Sequence, residues 1–275
     1  MGSHRVLRSS DRGLDVDKRR WSNEMTKQTG TTRQLVKQAI KGVFHTMGLD
    51  IRHWSPETSQ PTLRGALRRL REHRIDFETV IDVGASNGCW SLELQRYFPG
   101  KSHLLVEANP IREASLNSLC NANPNWSYVL KAAGEEEGTL FFDDSNPQGG
   151  HLSEKQLSAC YKPCPVTTID SEVNRLGLRP PFFIKLDTHG VEVPILKGAS
   201  KTLDDCDILV IECYNFPSVS PCLSFWEMCE WMSSKGFLPL DVHDIVYRQY
   251  DHSFWQLDLL FARKTRPEFT YRGYR

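Results

Sequence analysis

"TVIDVGASNGCWSLELQRYF" occupies residues 79–98. It opens as an apolar run interrupted by Asp82, turns through Gly84 and Gly88, and resumes with apolar residues at helical spacing. A short β-branched run reads as a buried strand, and the 3.6-residue period after it as a helix. Glycines at that junction let the backbone approach a neighbour or a ligand closely. The same alternation continues outward. "SHLLVEANP" is a strand, and Asn109-Pro110 opens the helix "IREASLNSLC". "WSYVLKAAG" is a third strand and "GTLFFDDS" a short edge strand. After a loop over 145–165, "VTTIDSEVNRLG" leads into the strand "PFFIKLDT", one helix "VEVPILKGASKTL", the strand "CDILVIECYN" and the helix "LSFWEMCEWMSSKG". "FLPLDV" and "FWQLDLLFARK" close the series. Strands alternating with helices predict an α/β protein built on a mainly parallel sheet.

Upstream, the pattern changes. Residues 1–30 are polar and aperiodic and read as a mobile basic tail. Residues 31–76 hold two amphipathic helices, the second very basic on its outer face, and read as an N-terminal helical extension suited to a cap or an oligomer contact. The main domain is expected over 77–264, with a tail at 265–275. The 275-residue chain carries no formal net charge, yet residues 1–76 hold an excess of eight positive charges and the remainder an excess of eight negative ones. That asymmetry suits a solvated arm, or one that meets an anionic membrane surface peripherally. No aromatic–basic interleaving of an RNA module is present, so no nucleic-acid partner is expected. No apolar run approaches the roughly 18 residues of a membrane helix. The N-terminus has no apolar stretch of the secretory kind. None of the eight cysteines forms a C-x-x-C pair, which argues against zinc and for reduced thiols in a cytoplasmic protein.

The turns carry the chemistry. "DVGASNG" has G-x-x-x-G spacing, not the G-x-G-x-x-G of dinucleotide enzymes. An acid two residues before the first glycine, Asp82, suits a cofactor with a cationic end, such as S-adenosylmethionine. Glu107 ends the second strand 23 residues after Gly84, where a ribose-hydroxyl acceptor is expected. It also reads as a charge at a helix N-terminus, with Asn109 as the cap. In "IKLDTHGVEVPILKGA", Asp187, His189 and Glu192 cluster where a strand becomes a helix. Strand carboxyl ends are where ligands bind in open α/β sheets.

"VIDVGASNG", "VEANP", "KAAGEEEGTLFF", "IKLDTHGVEVPILKGA" and "LVIEC" together resemble the FkbM-type S-adenosylmethionine-dependent methyltransferases over roughly residues 63–262. Lys185, Asp187, Gly190, Glu192 and Leu196 to Ala199 fit that family's K-x-D-x-x-G-x-E and L-K-G-A pattern; His189 and Pro194 depart from it. The resemblance implies a Rossmann-like class I methyltransferase fold: a seven-stranded, mainly parallel sheet with an antiparallel last strand. It implies O-methylation of a hydroxyl on a sugar, glycolipid or polyketide.

The candidate cofactor-binding residues are Asp82, Gly84, Ala85, Ser86, Gly88, Glu107, Ala108, Asn109, Ala132 and Asp187. The candidate catalytic residues are Asp187, His189 and Glu212, because an acceptor hydroxyl needs a positioned base or a metal to take its proton. A histidine that is neutral near pH 7 suits the role of base. Asp187, His189 and Glu212 could also hold a divalent cation such as Mg²⁺. His151, Ser153, Glu192 and Tyr214 are candidate acceptor contacts, with Gly149-Gly150 as a hinge. Each of these also reads as structure: Asp187 as a helix cap, Glu192 as a first-turn charge, His189 as a surface residue. Three functions follow: an O-methyltransferase for a sugar or glycoconjugate, one for a polyketide or lipid-like product, and a non-catalytic nucleotide-binding protein. A small-molecule or glycan acceptor is the expected partner, and a homo-oligomer is compatible with the N-terminal helices.

Overall fold

The computed structural model describes residues 60–143, 150–216 and 222–274, with only the backbone of His151. The expected tail and the first helix of the extension, over 31–48, lie outside the described residues. Helix α1 (Leu63–Glu72) starts on Thr62, whose hydroxyl accepts from Gly65 N. Strand β1 (Thr79–Val83) leads into α2 (Cys89–Tyr97), β2 (Ser102–Glu107), α3 (Glu113–Ala122) and β3 (Trp126–Leu130). Asn109 caps a single 3-10 turn, Pro110–Arg112, before α3.

Four short strands follow: β4 (Ala132–Ala133), β5 (Gly138–Asp143), β6 (His151–Ser153) and β7 (Tyr161–Thr167). Then come α4 (Ile169–Leu176), β8 (Phe182–Leu186), α5 (Glu192–Lys197), α6 (Ser200–Asp204) and β9 (Cys206–Tyr214). The chain closes with α7 (Phe225–Ser234), β10 (Phe237–Tyr247) and β11 (Phe254–Arg263).

The main sheet has seven strands in the order β10-β11-β9-β8-β1-β2-β3. β1 pairs in parallel with both β2 and β8, β2 with β3, and β8 with β9; β11 runs antiparallel to β9 and β10. This is the expected fold class, with the last strand reversed. β1 and β8 are buried along their whole length, as strands covered on both faces must be. The chain builds outward from β1 through β2 and β3, then returns to the other side of β1 with β8. Reversal of strand order opens a crevice at the carboxyl ends of β1 and β8.

Three readings are corrected. The loop expected over 145–165 holds two strands: β6 and β7 join β4 and β5 in a second sheet, β4-β7-β5-β6, with 144–149 outside the described residues. The single helix expected after β8 is two. Asp170 breaks it, its carboxylate accepting from Lys201 N at 3.0 Å and Thr202 N at 2.8 Å and so capping α6. At the break, a Cβ on Gly198 would stand 2.1 Å from the carbonyl oxygen of Gly134.

The domain boundary at 77 also moves. Leu67 and Leu70 of α1 are buried with Phe77, Phe183 and Leu260 on one face of the sheet. Arg69 grips the Asp241 carboxylate at 2.6 and 2.9 Å. α1 therefore belongs to the domain. So does the start of the expected C-terminal tail, where Phe269 packs against the same cluster. No helix among the described residues is long and apolar enough to cross a membrane.

Candidate active site

The glycine turn is fixed from both sides. Gly84 and Ala85 donate their N–H groups to Val106 O at 2.9 and 3.1 Å. Gly84 sits at φ +73°, and a Cβ there would lie 2.0 Å from the carbonyl oxygen of Asp187, so only glycine lets the turn meet the end of β8. Gly88, at φ +77°, serves packing: its Cβ would strike Leu119 at 2.4 Å. At the end of β2, Glu107 accepts from Ser86 N at 2.7 Å and from Asn109 N at 2.8 Å, one bond to each oxygen. Each oxygen keeps a further acceptor site, and the amides hold the carboxylate rigid.

These residues face a cavity of about 570 Å³ at the carboxyl edge of the sheet. Its walls differ from end to end. Beside Glu107 stand Ala108, Ala132, Phe142 and Leu152; near β8 and β9 stand Asp187, Thr188, His189 and Glu212. β2 and β9 are three strand spacings apart, roughly 14 Å at about 4.8 Å each. The apolar and charged ends are thus well separated. Gly150 shapes the apolar end, since a Cβ there would overlap the Phe142 ring at 1.9 Å.

The cavity thus combines an apolar slot beside Ala108, Phe142 and Leu152, a carboxylate fixed by two amides at Glu107, and an anionic side chain at Asp187. Gly84, Ser86, Glu107, Ala108, Asn109, Ala132 and Asp187 line the cavity, whereas Asp82, Ala85 and Gly88 do not. Ala85 packs into the cluster of Leu105, Leu116 and Trp126.

Asp82 is the main correction to the cofactor set. It is 0% exposed and lies behind the cavity wall. Ser91 Oγ donates to its Oδ2 at 2.8 Å, and its Oδ1 is 3.1 Å from Lys185 Nζ. The same ammonium donates to Gly84 O at 3.0 Å and lies 3.3 Å from Asp187 Oδ2. Burial works against that ammonium, but Asp82 and then Asp187 more than offset it and hold its pKa above the ordinary lysine value.

At the charged end, His189 is held at φ +58° and presents its ring to the last residues of β9. Nδ1 is 3.0 Å from Glu212 Oε2, 2.9 Å from the Tyr214 hydroxyl and 3.9 Å from Asp187 Oδ1. Tyr214 donates to Glu212 Oε2, and Gln256 Nε2 to Glu212 Oε1. Among the described residues, Nε2 of His189 has no hydrogen-bond partner, and the side chain is 46% exposed. The Glu212 hydrogen bond raises the His189 pKa to about 9 despite partial burial, with the charges of Glu212, Asp187 and Glu192 adding to it. The imidazole is therefore charged at neutral pH, not neutral as the sequence suggested.

Two candidate acceptor contacts are spoken for. Tyr214 is buried and bonded to Glu212, and does not line the cavity. Glu192 is also buried: its Oε1 accepts from Gly190 N at 2.9 Å and Thr188 Oγ1 at 3.1 Å. It holds the turn that carries His189, and burial raises its pKa. Ser153 Oγ accepts from Lys155 N and lies off the cavity; the side chain of His151 is outside the described set.

Donor atoms of Asp187, His189 and Glu212 lie within 4.8 Å of one another, close enough to share a cation. As they stand, His189 Nδ1 and both Glu212 oxygens are engaged with each other, Tyr214 and Gln256. Sequence reasoning did not name the cavity residues Phe142, Leu152, Arg112 and Lys131. Phe142 and Leu152 come from the second sheet, where sequence reasoning singled out the polar neighbours His151 and Ser153 and passed over the apolar side chains.

Residues 82–239 match the model of the methyltransferase FkbM domain. No curated protein matches the chain. Among solved structures, the precorrin-6y C5,15-methyltransferase of Geobacter metallireducens is 13% identical, with 72% of this chain and 86% of that one covered and a TM-score of 0.40. An O-methyltransferase candidate from Klebsiella pneumoniae is 11% identical over 82% and 88% of the two chains, with a TM-score of 0.42. The tRNA (m1A22) methyltransferase candidate Sp1610 of Streptococcus pneumoniae, in complex with S-adenosyl-L-methionine, is 13% identical over 72% of each chain, with a TM-score of 0.40.

Proposed function

We propose that this chain, which belongs to the FkbM methyltransferase family, transfers a methyl group to a hydroxyl of a sugar or glycoconjugate. Its cofactor is S-adenosylmethionine, which when bound supplies a methyl group made electrophilic by a sulfonium. Glu107 would hold the ribose hydroxyls, Ala108, Phe142 and Leu152 would flank the base, and Asp187 would face the positive charge.

One observation carries the reading of O-methylation. At the mouth of the cavity, His189 has Nδ1 tied to Glu212 and Nε2 left for another partner. An alcohol holds its proton about as tightly as water, pKa ~15.7, so a base must take it as the bond to carbon forms. Glu212 keeps the proton on Nδ1, which makes Nε2 the nitrogen that accepts. His189 gives up its Nε2 proton more readily once a second positive charge is held at Asp187, because like charges disfavour each other. Tyr214 and Gln256 fix the Glu212 carboxylate and so the ring. The polar walls at this end, Asp187, Thr188 and His189, favour an acceptor rich in hydroxyls over an apolar one.

The pH dependence of kcat/KM tests this. The parent's rate should climb with pH and level off above about pH 9, the free-enzyme pKa of His189. Glu212→Gln should move that limb toward the ordinary histidine range and lower the plateau. His189→Gln should slow turnover by about 10²–10⁴-fold while S-adenosylhomocysteine still binds. A limb that stays in place in Glu212→Gln overturns the role of His189. An acceptor panel of deoxysugars, glycolipids and macrolides decides the substrate class. Activity lost to a chelator and restored by Mg²⁺ would replace the base by a metal.

A further inference from the structure

We propose that Lys185, which the cavity does not expose, is a positioning residue that holds the Asp187 carboxylate and the glycine turn in one fixed arrangement for the charged end of the cofactor. This rests on the reading of the cavity as an S-adenosylmethionine site.

Lys185 stands on β8 directly opposite Asp82 of β1. It is 5% exposed and lies behind the cavity, so it cannot touch substrate. An ammonium has three protons to donate. Here three oxygens surround it: Asp82 Oδ1 at 3.1 Å, Gly84 O at 3.0 Å and Asp187 Oδ2 at 3.3 Å. Each belongs to a different part of the site. Gly84 is the hinge of the turn and Asp187 the anionic wall. Asp82 reaches through Ser91 Oγ, 2.8 Å away, into the first turn of α2. One buried cation therefore ties together β1, the turn, the end of β8 and α2.

The charges make the same point. Asp82 and Asp187 are two carboxylates against one ammonium, and Asp82 is wholly buried while the Asp187 side chain is 41% exposed. Asp82 needs the ammonium to exist as a buried anion. Asp187 is then the member whose charge is left facing the cavity. A lysine that served the core alone would require only Asp82.

Removing Lys185 by itself would strand Asp82 and could unfold the chain. The test therefore uses Asp82→Asn as the fold control and Asp82→Asn/Lys185→Met as the variant, both checked by thermal unfolding. The readout is affinity for S-adenosylhomocysteine against affinity for 5′-methylthioadenosine at one pH, which needs no acceptor. The two ligands share the nucleoside, and only the first carries the charged amino-acid end, so their ratio reports how well that end is held. In the control the ratio should match the parent. In the variant S-adenosylhomocysteine should bind about tenfold more weakly relative to methylthioadenosine, the effect of loosening one charge-assisted hydrogen bond.

A folded variant that keeps the control's ratio, whether it binds both ligands as well or both more weakly, overturns the proposal and leaves the cofactor assignment intact. A parent that binds neither ligand overturns the cofactor site, and this proposal falls with it.

Discussion

Gly84 occupies a place that no other residue can take: its backbone is left-handed, and the Asp187 carbonyl stands where a side chain would begin. Gly84→Ala should therefore cost at least about 1–3 kcal/mol from backbone strain alone, and displace β8 further. Denaturant unfolding and S-adenosylhomocysteine binding should both show the loss. An alanine variant with parental stability and affinity would sink this account of the turn. The places of Gly84, Glu107 and Asp187 on the cavity wall were legible in the sequence, because all three stand at strand ends. Asp82, Glu192 and Tyr214 were equally visible as polar residues there, but the structure keeps all three off the cavity wall. Their partners, Lys185, Gly190 N and Glu212, depend on strand register and on one tight turn. The charge of His189 was hidden for the same reason, since Glu212 lies 23 residues away and meets it only once β9 is placed.

Elements were easier to read than their boundaries. The five parallel strands and the reversed closing strand follow from alternation of apolar runs and helical periods, and these survive in the structure. β7 escaped notice because Pro163 and Pro165 demote "YKPCPVT" as a strand. Both prolines lie in the stretch of β7 that β4 does not cover, since β4 pairs with β7 only at Val166 and Thr167, so one side of the strand there needs no N–H donors. The strand thus tolerates them. α1 was placed in a separate extension because its arginines dominate its composition, yet Leu67 and Leu70 are buried on the sheet. Leu67→Ala should cost about 2–5 kcal/mol. A change below 0.5 kcal/mol in urea unfolding would mean that α1 is an accessory.

Across the whole molecule, acid groups pull stability in opposite directions. Asp258 stands opposite Glu212 on one side and His243 on the other. Burial raises its pKa to about 7, against the help of His243 and with further push from Glu212 and Asp187. The folded chain therefore holds a proton there that the unfolded chain releases near pH 4, and stability falls as pH rises from about 4 to 7. His189, raised to about 9, extends the decline from about 6.5 upward, weakened by its exposure. Glu172, Asp244 and Glu268 have lowered pKa values and lose stability on acidification instead. Thermal unfolding should accordingly peak on the acid side of neutrality. Asp258→Asn should flatten the fall between pH 4 and 7; an unchanged slope would show that Asp258 is ordinary in the folded state.

The insertion of β8 beside β1 also sets a timetable for biosynthesis. β1 ends at Val83, and its second neighbour begins only at Phe182. At about 5–20 residues per second, a ribosome needs roughly 5–20 s to deliver the intervening chain. Throughout that interval a nascent β1, paired to β2 at best, presents an open Val- and Ile-bearing edge with Asp82 unneutralised. The half-made protein is thus at its most vulnerable to aggregation and proteolysis while its cofactor cleft has only one wall, and S-adenosylmethionine can offer it no shelter until translation has passed β8.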